Sequence, residues 1–272
     1  MKKIRLDQQV FDRGLTPSRE RARTSIMAGL VYVNGQKETK PGTAFPPDAE
    51  IVLRGEVIPW VSRGGLKLEK AVRVFHIDPT GYICADCGAS TGGFTDVLLQ
   101  NGAAKVYAID VGYGQLAWQL RQDERVICME RTNVRYLTRE DVPDEIDLAV
   151  MDLSFISLRL ILPAVYGLLK EHGRAVCLVK PQFEAGKEKV GKKGVVRDPS
   201  VHVEVLDDFL RYSREAGFSL LGLDFSPIRG PEGNIEYLAW LEKDGAESIT
   251  PDLEALVEAS HSHHSKSEEE KQ

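Results

Sequence analysis

Apolar positions follow two rhythms along this chain of 272 residues. Up to residue 58 they come in short bursts between charged stretches. "DQQVFDRGL" reads as a short helix that stops at Gly14, and "TPSRERARTSIMAG" as a second one. Thr16 would cap that second helix, Pro17 start it and Gly29 end it. "LVYVNGQKE" places two strand-like runs around an Asn-Gly turn, and "AEIVLRG" adds a last strand. Two helices and a small sheet in so few residues make a marginal core, which suits an accessory α+β binding domain over 1–58. Pro59 and Trp60 make residues 59–62 a short, stiff linker, with Trp60 packed against one of the two domains.

From residue 80 onward short apolar runs alternate with longer amphipathic ones. "YICAD", "AKVYAID", "RVICME", "IDLAVMD", "RAVCLVK", "SLLGLDF" and "NIEYLAWLE" are strand candidates. Helices fit between them at 92–101, 113–122, 158–172 and 200–216. That alternation predicts a doubly wound, Rossmann-like α/β sheet in a domain spanning 63–243. The tail, 244–272, starts with a short helical pattern and is expected to end disordered.

Charge changes this picture at one end. The formal net charge is −6, yet residues 1–55 hold ten Lys and Arg against six Asp and Glu, and 244–272 hold two against eight. Overall acidity argues against a nucleic-acid partner, and the basic N-terminal module reverses that locally. Arg19, Arg21 and Arg23 lie on the second helix, Arg19 and Arg23 four apart on one face. With Lys2, Lys3 and Arg5 before them and Lys37 and Lys40 beyond the turn, they mark an RNA contact over a merely solvated surface. Arg63 extends this basic set into the second domain.

Cysteine usage and hydropathy exclude other classes. "CADC" lacks two further ligands at metal spacing, so Cys84, Cys87, Cys128 and Cys177 read as free core thiols and no metal is expected. His261, His263 and His264 read as part of a solvated tail. The longest apolar run, "LILPAVYGLL", is too short to cross a bilayer, and no apolar segment follows the basic start. A cytoplasmic location without membrane contact is expected.

"DCGASTGGFTD", residues 86–96, joins the first strand to the first helix of the sheet. Such turns bring backbone amides and a helix N-terminus to a ligand at the carboxyl ends of the strands. Gly88, Gly92 and Gly93 let the main chain approach, with Ser90 and Thr91 between them. Asp110 closes the second strand, placed to accept hydrogen bonds from ribose hydroxyls. NAD and S-adenosylmethionine share this geometry. A pyrophosphate wants glycine where Ser90 stands and is repelled by Asp86, whereas Asp86 suits the ammonium of a methionine moiety. S-adenosylmethionine is therefore the expected cofactor, with Asn133 reaching the adenine edge.

Asp152 and Lys180 end the strands "LAVMD" and "AVCLVK", where a buried charge needs a reason. Glu236 falls inside the last predicted strand, and Lys67 lies on a helix leading into the first. Singly, each has a structural explanation: a surface lysine, an exposed edge residue, an ion pair. As a set, in the contexts "SRGGLKLEK", "MDLSF", "LVKPQ" and "NIEYL", they resemble the Lys-Asp-Lys-Glu tetrad of FtsJ-like ribose 2′-O-methyltransferases. The resemblance implies Lys180 as base or hydroxyl activator, its pKa lowered by a neighbouring cation, with Lys67, Asp152 and Glu236 orienting the hydroxyl. "FEAGKEKVGKKGVVRDP" follows Lys180. It reads either as a mobile solvated loop or as a lid contacting RNA phosphates through Lys189 and Lys192.

"RLDQQVFDRGLTPSRERARTSIMAGLVYVNG" resembles the S4 RNA-binding domain. Together with "SRGGLKLEKA", "DCGASTGGFTDVLLQNGA", "ERTNVR", "MDLSFISL" and "LVKPQFEAGKEKVGKKGVVRD", it resembles the TlyA family over roughly residues 3–243. That resemblance implies ribosomal RNA (cytidine-2′-O)-methylation with S-adenosylmethionine as donor, on ribosomal RNA or ribosomal subunits. Members are often labelled hemolysins, but no membrane span or free amphipathic segment supports a pore. An RNA-binding protein with an inactive methyltransferase fold would need a broken tetrad, and all four residues are present.

Overall fold

The computed structural model describes residues 3–54, 58–230 and 232–269. The chain divides into two compact units, Met1–Leu66 and Lys67–Gln272. The sequence places the boundary earlier, at 59–62. The first unit extends further because Trp60 is buried on Gly65, where a Cβ would lie 2.5 Å from the indole Cγ.

In the first unit, β1 (Ile4–Arg5) leads into α1 (Leu6–Asp12) and α2 (Arg19–Met27). Then follow β2 (Val31–Val33), β3 (Gln36–Glu38), β4 (Ala44–Phe45) and β5 (Ile51–Leu53). β1 pairs with β4, and β2 is the centre of an antiparallel three-stranded sheet between β3 and β5. Asn34 and Gly35 both take positive φ (50° and 79°), as a two-residue hairpin turn of this hand requires. Leu6, Val10, Ala22, Ile26, Val31 and Ile51 form the small core. The cap of α2 is Ser18, whose side chain accepts from Arg21 N. Thr16, the cap expected from sequence, instead donates to Ser18 O at 3.1 Å.

Asp7 is the charged centre of this unit. It is 1% exposed and accepts two bonds from Arg5, at 3.0 and 2.8 Å, and a forked pair from Arg19 at 3.3 and 3.4 Å. Burial pushes its carboxyl up, but the bonds and charges of Arg5 and Arg19 outweigh it and hold the group below its ordinary value of 3.8. Asp7 therefore stabilises the fold above that value, and the contribution is lost as pH falls below it. Asp7→Asn should cost roughly 1–3 kcal/mol at pH 7 in denaturant unfolding, and the gap between the two proteins should narrow as pH falls through the lowered folded-state pKa of Asp7.

The second unit begins in α3 (Gly65–Val74) and contains seven strands. β6 (Ile83–Cys87), α4 (Gly93–Gln100), β7 (Lys105–Ile109), α5 (Trp118–Arg121) and β8 (Val126–Met129) come first. β9 (Ile146–Met151), α6 (Leu162–Leu168), β10 (Leu169–Val179), α7 (Pro181–Glu184) and α8 (Pro199–Glu215) follow. β11 (Phe218–Phe225), β12 (Tyr237–Lys243) and α9 (Leu253–Glu269) complete it. The sheet order is β11-β12-β10-β9-β6-β7-β8, parallel except for β12, which is antiparallel to both neighbours. Strand order reverses at β6, between β7 and β9, the place where open α/β sheets bind ligands.

Four expectations change. The helix over 113–122 shrinks to Trp118–Arg121, because Asp110 and Glu130 take the Gly112 and Gly114 amides and hold that stretch as a loop. The helix over 158–172 ends at Leu168, and β10 starts at once; its pairing with β9 shifts register where His172 takes φ 54° beside Gly173. Cys128 is exposed rather than a core thiol, since edge strand β8 has only one neighbour. The tail holds α9, with Leu253, Val257, Ser260 and His264 buried along one stripe. Glu254 and Glu258 occupy the solvent side of that helix, which helped make the composition look disordered, and the last residues of the expected disorder, 270–272, lie outside the described residues.

Candidate active site

The glycine turn sits where the sheet reverses. Gly88 follows β6 with φ 89°, and a Cβ there would stand 2.9 Å from Asp152 O, the backbone just after β9. Gly92 has φ 92°, and its Cβ would fall 2.2 Å from a Leu120 methyl carbon. Ser90 takes the left-handed conformation without being glycine, φ 49°. Its amide donates to Asp110 Oδ2 at 2.8 Å, and the Gly112 amide donates to Asp110 Oδ1 at 2.7 Å. Asp110 thus staples the turn and keeps second lone pairs for a ligand.

Asp86 is fully buried and accepts from Thr95 N at 2.9 Å and Thr95 Oγ1 at 2.6 Å, both on Oδ2. Its Oδ1 is buried with no hydrogen-bond partner. Burial pushes the carboxyl up to about 7, against the pull of the Thr95 bonds. An orphaned carboxylate oxygen beside a turn that excludes Cβ atoms fits a cofactor bearing an ammonium group. Asn133 Oδ1 caps the turn after β8 by accepting from Arg135 N at 3.0 Å, which leaves its side-chain amide nitrogen as the donor.

The four charged residues meet in one cluster. Lys67 comes from the first turns of α3, Asp152 from the end of β9, Lys180 from the end of β10. Glu236 stands one residue before β12 rather than inside it, and is fully buried rather than an exposed edge residue. Lys180 Nζ lies 2.6 Å from Asp152 Oδ1 and donates to Ser154 Oγ at 3.1 Å. Lys67 Nζ donates to Asp152 Oδ2 at 3.1 Å and stands 2.8 Å from Glu236 Oε2, an ion pair off the linear hydrogen-bond direction. Burial disfavours charge on Lys67, yet Asp152 and Glu236 outweigh it and raise its pKa. Burial likewise works on Asp152, and Lys67 and Lys180 outweigh it and lower its pKa. Each lysine therefore faces a carboxylate, not the other lysine. Two cations and two anions alternate at the crest of the sheet, within reach of the Gly88 turn through Asp152.

This arrangement coincides with a family match. Residues 60–243 match FtsJ-like methyltransferases and residues 4–51 match the S4 domain. The chain belongs to the FtsJ-like methyltransferase family. A Bacillus subtilis relative, YqxC, is 50% identical over 266 residues, covering 96% of this chain and 95% of its own. The 16S/23S rRNA (cytidine-2′-O)-methyltransferase TlyA of Mycobacterium tuberculosis is 47% identical over 241 residues, covering 88% and 90%. A solved structure from Streptococcus thermophilus, described as a hemolysin, is 48% identical with a TM-score of 0.80, covering 99% of both chains. No helix among the described residues is long and apolar enough to cross a membrane.

For a family member, the basic residues fall into two groups. In the first unit, Arg5 and Arg19 share Asp7, Arg21 donates to Ile58 O at 3.3 Å, and Arg23 is exposed. Lys37 is exposed, with its Nζ 5.9 Å from the Tyr32 ring centroid, and Arg63 is exposed as well. In the second unit, Lys192 is exposed in the loop after Lys180, and Lys189 is paired with Glu204.

Residues that sequence reasoning missed also gather here. Glu184 accepts from Ser157 Oγ at 2.6 Å and Leu158 N at 2.9 Å, tying the segment after Asp152 to the helix after Lys180. Phe155 is 90% exposed, takes φ 64° and lies 5.1 Å from the Phe183 ring. The signal for Phe155 was faint, a lone aromatic four residues past a strand end.

Proposed function

We propose that this protein transfers a methyl group from S-adenosylmethionine to a cytidine ribose 2′-hydroxyl of ribosomal RNA. The observation that carries the proposal is the Lys67–Asp152–Lys180–Glu236 cluster at the sheet's switch point, built from four separate segments. The name of the Mycobacterium tuberculosis relative supports the substrate class.

S-adenosylmethionine, when bound, supplies an electrophilic methyl group on a sulfonium. Asp86, Gly88, Ser90, Thr91, Gly92, Gly93 and Asp110 would hold it, with Asn133 toward the adenine. A ribose hydroxyl is a poor nucleophile, so the protein's task is alignment and proton removal. Lys180 would activate the hydroxyl, whose proton would pass to the Lys180–Asp152 pair as the oxygen takes the methyl group, the carbon–sulfur bond breaking to leave the neutral thioether S-adenosylhomocysteine. Lys67, kept an ammonium by its two carboxylates, fixes Asp152 and Glu236 and so the direction of approach. Phe155 offers a face on which an unstacked base can rest. Arg5, Arg19, Arg21, Arg23, Lys37 and Arg63 grip RNA phosphates from the first unit, as do Lys189 and Lys192 on the methyltransferase part.

The test is incubation of purified protein with labelled S-adenosylmethionine and ribosomal RNA or subunits, then mapping of the modified nucleotide. Label on a cytidine 2′-oxygen is the expected result. Cofactor binding without transfer to any ribosomal substrate would favour an inactive, RNA-binding fold. Lysis of red cells by nucleic-acid-free protein would favour the hemolysin reading.

A further inference from the structure

The tail helix turns a buried polar edge toward the segment that carries Glu236. On α9, Ser260 and His264 are four residues apart, 0% and 2% exposed. Ser260 Oγ lies 3.2 Å from the hydroxyl of Tyr237, the residue after Glu236, and shares its one proton between that oxygen and Val257 O, 2.8 Å away in its own helix. His264 Nε2 donates to Ser226 O at 3.1 Å, and Ser226 N donates to Glu236 O at 2.8 Å. The helix thus reaches Glu236 from two sides: through the neighbouring side chain and through its own carbonyl.

The network continues past the strand. The Tyr237 hydroxyl is 2.8 Å from His202 Nδ1, and His202 Nε2 is 3.0 Å from Val196 O. A carbonyl only accepts, so His202 carries its proton on Nε2 and takes a bond from Tyr237 on Nδ1. Val196 N in turn donates to Asn234 Oδ1 at 3.0 Å, two residues before Glu236. The fit around the carboxylate is close, since a Cβ at Gly230 would stand 2.6 Å from Glu236 Oε1. Buried polar chains of this kind are costly when incomplete, so each link constrains the next.

We infer that the C-terminal helix is a positioning element of the catalytic cluster, with Ser260 and His264 holding the backbone that presents Glu236 to Lys67. The inference rests on the methyltransferase reading above. It makes the helix part of the site's machinery although it lies outside the matched methyltransferase segment, which ends at 243.

Four variants of the full chain test it. His264→Leu keeps bulk and removes the donor; His264→Gln restores an N–H of similar reach. Tyr237→Phe and Ser260→Ala remove one hydroxyl each. His264→Leu and Tyr237→Phe should each lower kcat roughly tenfold, with the KM for S-adenosylmethionine within about twofold of wild type. His264→Gln should recover most of kcat, which a role in packing alone would not produce. Wild-type kcat in both His264→Leu and Tyr237→Phe overturns the inference, as does a Gln variant no better than Leu. Should His264→Leu not fold, Tyr237→Phe and Ser260→Ala decide by the same kcat criterion. Should the wild type transfer no methyl group, the underlying reading falls, and amide exchange decides the latch separately. Faster exchange over 226–237 in Tyr237→Phe supports it, and unchanged exchange overturns it.

Discussion

Lys180→Ala is expected to cut methyl transfer by about a thousandfold or more, while affinity for S-adenosylmethionine stays within a few-fold of wild type. Lys180 is 6% exposed, and its Nζ bonds to Asp152 and Ser154 rather than to the glycine turn. On the proposed mechanism, its loss removes the hydroxyl-activating group without touching the residues proposed to hold the cofactor. The fold should survive, because Asp152 keeps Lys67 at 3.1 Å and is not left as an unpaired buried charge. With one cation gone, Asp152 and Glu236 share Lys67 alone, so the Asp152 carboxyl should move back up. Lys180→Arg should fail nearly as badly, since a planar fork does not replace a compact ammonium in this geometry. Initial rates with saturating cofactor, alongside calorimetric cofactor binding, check both halves. Turnover near wild type in Lys180→Ala removes Lys180 from the mechanism.

Gly88→Ala is expected to damage cofactor binding and turnover together. The added Cβ would sit 2.9 Å from Asp152 O and 3.1 Å from Leu153 Cδ2, at φ 89°. The contact is with backbone, which cannot rotate aside as a side chain can. Strain and overpacking together should cost roughly 2–4 kcal/mol of stability. Relief of the clash requires β6 and the chain after β9 to part, which displaces the turn and Asp152 at once. Cofactor affinity should fall at least about tenfold, and kcat with it. Gly81→Ala is the control, with φ 75° and nothing within 4 Å of the new Cβ. It carries the conformational strain alone. If Gly88→Ala behaves like Gly81→Ala in titration and unfolding, close approach to Asp152 is not what this glycine provides.

Much of the fold was legible because periodicity reports which faces are buried. The parallel strands are buried on both sides and read as short apolar runs, and all seven strand candidates form strands, with shifted ends. One misplaced segment, 113–122, is where side chains compete for the backbone. Glu130 and Asp110 hold the loop before α5, and neither bond is visible in local propensity. The tail misled for a different reason. Four buried positions are few among charged neighbours, and their partners on α8 and β11 are remote in sequence.

The chain's order of residues by itself determined which elements form and which polar side chains stand at strand ends, because burial pattern and turn chemistry are local properties. It also carried the four charged residues in recognisable contexts. Only the tertiary structure decided that each lysine faces a carboxylate, that Glu236 is fully buried just ahead of its strand, and that Arg5 and Arg19 converge on Asp7. It alone placed Ser260 and His264 against the segment that presents Glu236. Charges and hydrogen bonds act over a few ångströms of space, and residues brought that close here stand as much as 169 positions apart in the chain, as Lys67 and Glu236 do.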